Sequence, residues 1–433
     1  MNVMKKLEVI AAFDWMPTEE TVGILGCDNI RGNQIYSFEF NKDWLRNHRN
    51  IILSKDLNNY SGIQYMNDAD GYIFSCFGDA LPDRWGRKLA DLKSDMGNKN
   101  RTFLPQKLTD WNYLQAINDS TRMGGFRFIN PETGNYINED KGLSIPPLVK
   151  LNELQEAAAH IERDLDKKLP PEEKWINRLF NPGSSMGGAR PKACVLSQDN
   201  NIYVAKFPSV KDEYDVGKWE YLANKLAKEC GINTADARLL KPKEGYNIFL
   251  SKRFDRNSYG QRIHMASSLT MLGLKDGAGA ETGNGYLDIV DFIVSGCIQS
   301  EKQLEELFRR VAFNICIGNT DDHFRNHAFV LTKEGWILSP AYDMNPTRSV
   351  YQSLNINGNS NKSDINLLYK SHEEYLIGSE KAREIINDVV HTVKYWESMA
   401  SSLKINSAEQ RIIRDRLDLC QEWKYGSNMG RRK

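Results

Sequence analysis

Asp321-Asp322-His323-Phe324-Arg325-Asn326 is followed, seventeen residues after the Asn, by an isolated acid in Tyr342-Asp343-Met344. That order and spacing suits a phosphoryl-transfer site of the protein-kinase type. One Asp takes the proton of the attacking hydroxyl, and an Asn five residues on, with a further Asp beyond it, holds magnesium on the nucleotide. Asp321 is then the candidate base, and Asn326 and Asp343 are the candidate metal ligands.

The surrounding sequence agrees with this reading. An apolar helix, Val311-Ala312-Phe313-Asn314-Ile315-Cys316-Ile317, runs into the loop. Two acids, two histidines, an Arg and an Asn directly behind a buried helix are costly unless they serve a site. The run Ala328–Leu331, a turn at Lys333–Gly335 and the run Trp336–Leu338 read as a hairpin that brings Asp343 back toward Asn326. A polar helix cap with an unrelated acid further along has the same composition.

Further out, the bulk composition sets limits. The chain has 433 residues, 40% hydrophobic and 26% charged, which describes a globular protein of two or three domains. Its 57 basic and 57 acidic residues cancel, so no global positive field favours nucleic acid. The opening MNVMKKLEVIAAFDWM is broken by Glu8 and Asp14. It reads as a first strand rather than an export signal or membrane span. The seven scattered cysteines contain no CxxC pair and suit a reducing cytoplasm.

Residues 1–148 alternate short β-like runs (Glu8–Phe13, Thr21–Leu25, Gln34–Phe40) with polar turns. Within them, Gly78-Asp79-Ala80-Leu81-Pro82-Asp83-Arg84-Trp85-Gly86 places Pro82 in a turn and Asp83 as the cap of a helix that follows. On its own this segment reads as a structural turn and cap. Residues 150–180 form a charged helical stretch with a Pro-Pro break. A Gly-rich run, Gly183-Ser184-Ser185-Met186-Gly187-Gly188, then precedes the strand Ala193–Leu196. It suits either a flap whose amides meet phosphate oxygens or an ordinary hairpin loop.

The strand Ile202–Phe207 carries Lys206, and Glu220 lies fourteen residues on in the next helix, which ends at Gly231. A lysine in an apolar strand, with an acid on the following helix, fits a phosphate-holding pair; a strand-edge lysine reaching water has the same pattern. Lys252-Arg253-Phe254-Asp255-Arg256 sits where a hinge against adenine is expected, though a solvated charge run reads the same way. Beyond Arg262 long helical patterns dominate, at Ile289–Ser295, Gln303–Gly318 and Glu380–Leu403. The expected fold class is α+β: a two-lobed protein-kinase-like fold with an extra β-rich N-terminal subdomain and a large helical C-terminal lobe. Its expected divisions are 1–148, 149–256 and 257–433.

In this order the blocks GDALPDRWG, SSMGGARPK, YVAKFP, KWEYLANKLAKECGI, SKRFDR, NTDDHFRNHAFVL and LSPAYDMNP resemble the HipA family of serine/threonine kinases, the toxin half of bacterial toxin–antitoxin systems. The resemblance covers most of the chain. It implies ATP and Mg2+ as cofactors, with Asp321, Asn326 and Lys206 catalytic. It implies nucleotide contacts from Ser185, Met186, Gly187, Gly188, Ala189, Arg190, Lys192, Lys206 and Glu220. Further nucleotide contacts would come from Lys252, Arg253, Phe254, Asp255, His323, Arg325 and Tyr342. Ser185 falls on the loop serine that such kinases phosphorylate in themselves to stop activity. The family implies a cytoplasmic protein with a protein substrate of the aminoacyl-tRNA synthetase class. It also implies a small helix-turn-helix antitoxin through which alone DNA is met, and no membrane partner.

The chain departs from the family pattern in places. Arg262-Ile263-His264-Met265-Ala266 lacks the acids that many members carry after the hinge. Arg190-Pro191 stands where the best-known branch has Gln-Glu, and Lys252 where it has an acid. Asp322 and Arg325 replace Gly and Lys. These bear on substrate and partner more than on chemistry. A small-molecule kinase on the same fold remains an alternative, as does a nucleotide-binding pseudokinase acting as a corepressor.

Overall fold

The computed structural model of the chain describes residues 4–30, 33–66, 72–98, 101–139, 145–183, 188, 190–418, 420 and 423. Contacts divide it into two units. The first is Met1–Asp212 with Pro242–Ala266 and Val330–Lys333; the second is Glu213–Lys241, Ser267–Phe329 and Glu334–Lys433.

The first unit begins with six strands: β1 (Lys5–Ala11), β2 (Glu20–Ile30), β3 (Asn33–Phe40), β4 (Ile63–Tyr65), β5 (Phe126–Asn130) and β6 (Asn135–Tyr136). They form one antiparallel sheet in the order β4-β3-β2-β1-β5-β6. Side chains opposite one another on antiparallel strands share a face. Val9 opposes Phe128 and Leu25 opposes Phe38, and all four are fully buried. Phe77, from the short helix Ser75–Gly78, packs on both Phe38 and Phe128, with ring centroids 5.4 and 5.9 Å away.

A second core in the same unit joins three helices to three strands. The helices are Arg84–Ser94, Leu151–Asp166 and Glu173–Gly183. The strands are β7 (Lys192–Leu196), β8 (Ile202–Lys206) and Ile248–Lys252, paired antiparallel through β8. Trp85 and Leu89 from the first helix pack in one cluster with Ile161, Ile176, Ala193, Tyr203, Ala205 and Leu250. The helix that follows the Gly-Asp-Ala-Leu-Pro-Asp block therefore shares a core with the lysine strand. For this reason contacts do not separate 1–148 from 149–212, where the sequence suggests a boundary at 148.

The second unit is mainly helical. Asp215 caps the helix Val216–Glu229, and Gly231 follows it at φ 77°, the left-handed stop expected of a glycine there. Trp219 of this helix donates its ring N–H to Glu409 (3.3 Å), and its ring centroid lies 6.1 Å from that of Trp396. Those contacts place the helix with the C-terminal residues rather than with the segment 149–256. The helix Ser300–Ile317 is buried without interruption from Arg310 onward. The expected helix Glu380–Leu403 is two helices, Ser379–Val393 and Trp396–Ser402. The break turns Trp396 fully inward, where its ring N–H meets Asp418 at 3.2 Å.

Candidate active site

The helix Ser300–Ile317 ends at Gly318, whose φ of 69° reverses the chain. The loop that follows is held by a buried acid. Asp322 is 3% exposed, and its Oδ2 is reached by the Tyr286 hydroxyl (2.6 Å), Asn314 Nδ2 (2.8 Å) and His327 Nε2 (2.7 Å). Burial alone would raise the Asp322 pKa. The charge and hydrogen bond of His327, with the Tyr286 hydroxyl and the charge of His323, outweigh it and hold the carboxyl below its ordinary value. Burial, then the Asp322 charge, pushes the Tyr286 phenol up.

Asp322 is thus a fixed internal post, whereas its neighbour Asp321 is exposed. Of the adjacent pair, only Asp321 is open to solvent. Asn326 is 8% exposed, and its Nδ2 donates to the Asp321 carbonyl at 3.1 Å, which directs its Oδ1 as the remaining oxygen donor.

The chain then returns toward the loop. Ser339 N–H donates to the Ala328 carbonyl (2.8 Å), and the Tyr342 hydroxyl donates to the Arg325 carbonyl (2.5 Å). The residues next to Asp343 and Asn326 are therefore joined, as the expected return of the chain requires. Asp343 itself has φ 59°, a left-handed backbone uncommon for a residue with a side chain. Asn345 Nδ2 donates to its Oδ1 at 3.3 Å. Carboxylate and amide oxygens are the hard donors that Mg2+ takes, usually one or two from protein with substrate phosphates completing the shell. Asn326 and Asp343 fit that donor set. Among the described residues no cluster of three or more His, Cys, Asp or Glu forms an all-protein metal site.

The other expected nucleotide residues of this unit are placed as follows. His323 Nδ1 is buried and meets no hydrogen-bond partner among the described residues, which suits a ligand contact. Arg325 instead holds Asp276 through Nε and Nη2 (2.6 and 3.0 Å). Glu220 is 3% exposed on its helix.

In the first unit, β7 and β8 set Lys192 directly opposite Lys206, and Phe249 opposes Lys206 on its other side. Lys206 Nζ lies 5.6 Å from the Phe249 ring centroid. Lys192 is 3% exposed and 3.7 Å from Asp83. Gly188, at φ 86°, sits over that ammonium; a Cβ there would come within 3.0 Å of Nζ. Arg190 pairs with Asp212 and donates Nε to the Phe207 carbonyl at 3.1 Å. Ser185, Met186, Gly187 and Ala189 lie outside the described residues.

In the hinge segment two side chains are buried. Arg253 and Asp255 are 3% and 1% exposed and pair with each other at 2.6 Å. Arg253 also donates to the Thr121 carbonyl (2.7 Å) and the Arg122 carbonyl (3.0 Å). Asp255 Oδ2 further accepts from Arg256 (2.8 Å) and from Gly124 N–H (2.9 Å). Burial works against the charged Asp255 carboxyl, yet Arg253 and Arg256 hold it well below the usual carboxylate range. Charges this desolvated persist only when paired. Both side chains are committed to an internal network. Lys252 and Phe254 are half-buried beside them.

Sequence reasoning did not find the Tyr286–Asn314–His327 support of Asp322. The Asp322/His327 spacing of five was visible, but Tyr286 carries no local signal. It also missed the Asp83–Lys192 pair, since the two are far apart in the chain.

Residues 184–396 match the model of the HipA-like C-terminal domain. Over those residues, just under half of the chain, the sequence is similar to the HipA-like family. It is 25% identical over 211 residues to the serine/threonine-protein kinase toxin HipA of Shewanella oneidensis, a match covering 42% of this chain and 47% of that protein. It is 26% identical over 179 residues to a Haemophilus influenzae protein named as a kinase, covering 37% of this chain and 52% of that protein. The chain thus spans about half the length of these curated relatives. The structure of HipA from the Shewanella oneidensis complex with HipB and operator DNA superimposes with a TM-score of 0.65 at 17% identity, over 96% of both chains. The HipA-like fold therefore extends over nearly the whole chain. No helix among the described residues is long and apolar enough to cross a membrane.

Proposed function

We propose that this chain transfers the terminal phosphoryl group of Mg-ATP to a serine or threonine of a protein, as a HipA-type toxin. The observation that carries the reading is the Tyr342–Arg325 closure, which joins the Asp343 segment to the loop bearing an exposed Asp321 and an inward Asn326. Asp321 would take the proton of the attacking hydroxyl. Asn326 and Asp343 would hold Mg2+, which neutralises charge on the phosphates. Lys206 and Lys192 would bind phosphate oxygens. His323, with its unmet ring nitrogen, and Tyr342 would flank the nucleotide.

By likeness to HipA, which is seen with HipB and operator DNA, the partner would be a small DNA-binding antitoxin, and the setting cytoplasmic. The resemblance also supports an aminoacyl-tRNA synthetase as substrate and self-phosphorylation at Ser185. The test is transfer of labelled phosphate from ATP to a panel of purified proteins and, separately, of metabolites. Label in protein supports the reading. Label only in a metabolite would replace it with small-molecule phosphorylation.

A further inference from the structure

The Asp83 block is explained only in part by capping. Asp83 Oδ1 accepts from Gly86 N–H at 2.7 Å, as a cap should. Its other oxygen, Oδ2, lies 3.7 Å from Lys192 Nζ, and the two side chains are 10% and 3% exposed. That separation is within ion-pair range but beyond a hydrogen bond. The next N–H of the same helix turn, from Trp85, donates to the Gly188 carbonyl at 3.3 Å. Gly188 in turn rests against the Lys192 ammonium. The start of this helix, Lys192 and Gly188 are therefore one contact group.

Register adds the electrostatic side. Lys192 and Lys206 are directly opposite on antiparallel strands and so project to one face. Like charges in that relation repel. A buried ammonium beside a second one needs an anion. Asp83 supplies a negative charge from a loose contact that another anion can replace. A nucleotide phosphate brought to the two lysines would compete with the carboxylate for Lys192 and be repelled by it.

We propose that Asp83 is a displaceable counter-ion of Lys192, a positioning residue that neutralises the buried ammonium without nucleotide and limits nucleotide affinity when phosphate takes its place. The proposal rests on the nucleotide-binding reading given above. Asp83→Asn separates the two roles of this residue, because Asn caps a helix as well as Asp does but carries no charge.

The experiment has two arms on the full chain. In the first, urea unfolding without nucleotide compares wild type, Asp83→Asn, Lys192→Met and the double variant. Each single change should destabilise, and the double should cost less than the sum, by roughly threefold or more in the unfolding equilibrium constant. Additive effects would overturn the pair. In the second, calorimetry measures Mg-ATP binding. Asp83→Asn should bind roughly three- to tenfold tighter than wild type, from removal of one nearby negative charge. The gain should be smaller in the Lys192→Met background, where competition for the ammonium is gone and only direct repulsion by the carboxylate remains. Equal or weaker binding by Asp83→Asn, with wild type binding normally, would overturn this inference alone. A wild-type chain that binds no nucleotide would overturn the kinase reading and this inference with it.

Discussion

The Tyr342 hydroxyl donates to the Arg325 carbonyl oxygen at 2.5 Å, a bond between side chain and backbone that spans seventeen residues. It fixes the approach of the Asp343 segment to the loop of Asp321 and Asn326. Tyr342→Phe removes one hydrogen bond and little volume, so stability should fall by about 1 kcal/mol. Mg-ATP binding should weaken more than this small loss of stability implies. Calorimetry with and without magnesium checks it. Unchanged magnesium dependence would detach Tyr342 from the metal site.

Asp343→Ala removes a carboxylate from the proposed metal shell. ATP affinity should then respond little to added Mg2+, since a ligand that neutralises the phosphates has lost its hold. Equal magnesium dependence in variant and wild type would make Asp343 structural.

Asp322→Asn should be costly although Asp322 is not the base. It leaves His327 and Tyr286 facing a neutral amide in a dry site, a loss of about 3 kcal/mol for a broken buried pair. The pH dependence has a definite sign. The folded carboxyl is held below its ordinary 3.8. Its contribution is therefore present in full above about pH 5 and lost as pH falls through the lower folded value. Wild-type stability should drop over that acid range, and Asp322→Asn should drop less. Parallel acid-unfolding curves would contradict this.

Ser185→Ala should remain active longer during incubation with Mg-ATP, if Ser185 is the residue that silences the kinase. A phosphate there adds roughly −1.5 to −2 charges and would repel ATP phosphates. Mass spectrometry of the wild type checks the site. Modification at other residues only, or normal ATP binding by the Ser185-phosphorylated chain, would remove self-inactivation.

How far the sequence could be read depended on how local each signal was. The cap at Asp83, the stop at Gly231 and the strands Ala328–Leu331 and Trp336–Leu338 depend on neighbours in the chain, and they stand where the residues placed them. A return of the Asp343 segment toward Asn326 was also legible, because residues 328–338 read as a hairpin; the contact that joins them, Tyr342 to Arg325, was not. The burial and pairing of Arg253 and Asp255 were not legible, because a charge run looks solvated until its partners are known. Those partners, the carbonyls of Thr121 and Arg122, lie about 130 residues earlier. Trp85 and Ala205 likewise share a core that no local pattern announces. Tyr286 and Asn314 were invisible as supports of Asp322, because each reads as ordinary helix.

The most direct measurement is the initial rate of phosphate transfer from labelled Mg-ATP to protein, including the chain itself, for wild type and Asp321→Asn, with nucleotide affinity measured beside it. The exposed Asp321 as base predicts a fall in rate of about 10²–10⁴ with ATP binding retained. Wild-type turnover in Asp321→Asn, or no transfer by a wild-type chain that binds ATP, would contradict it.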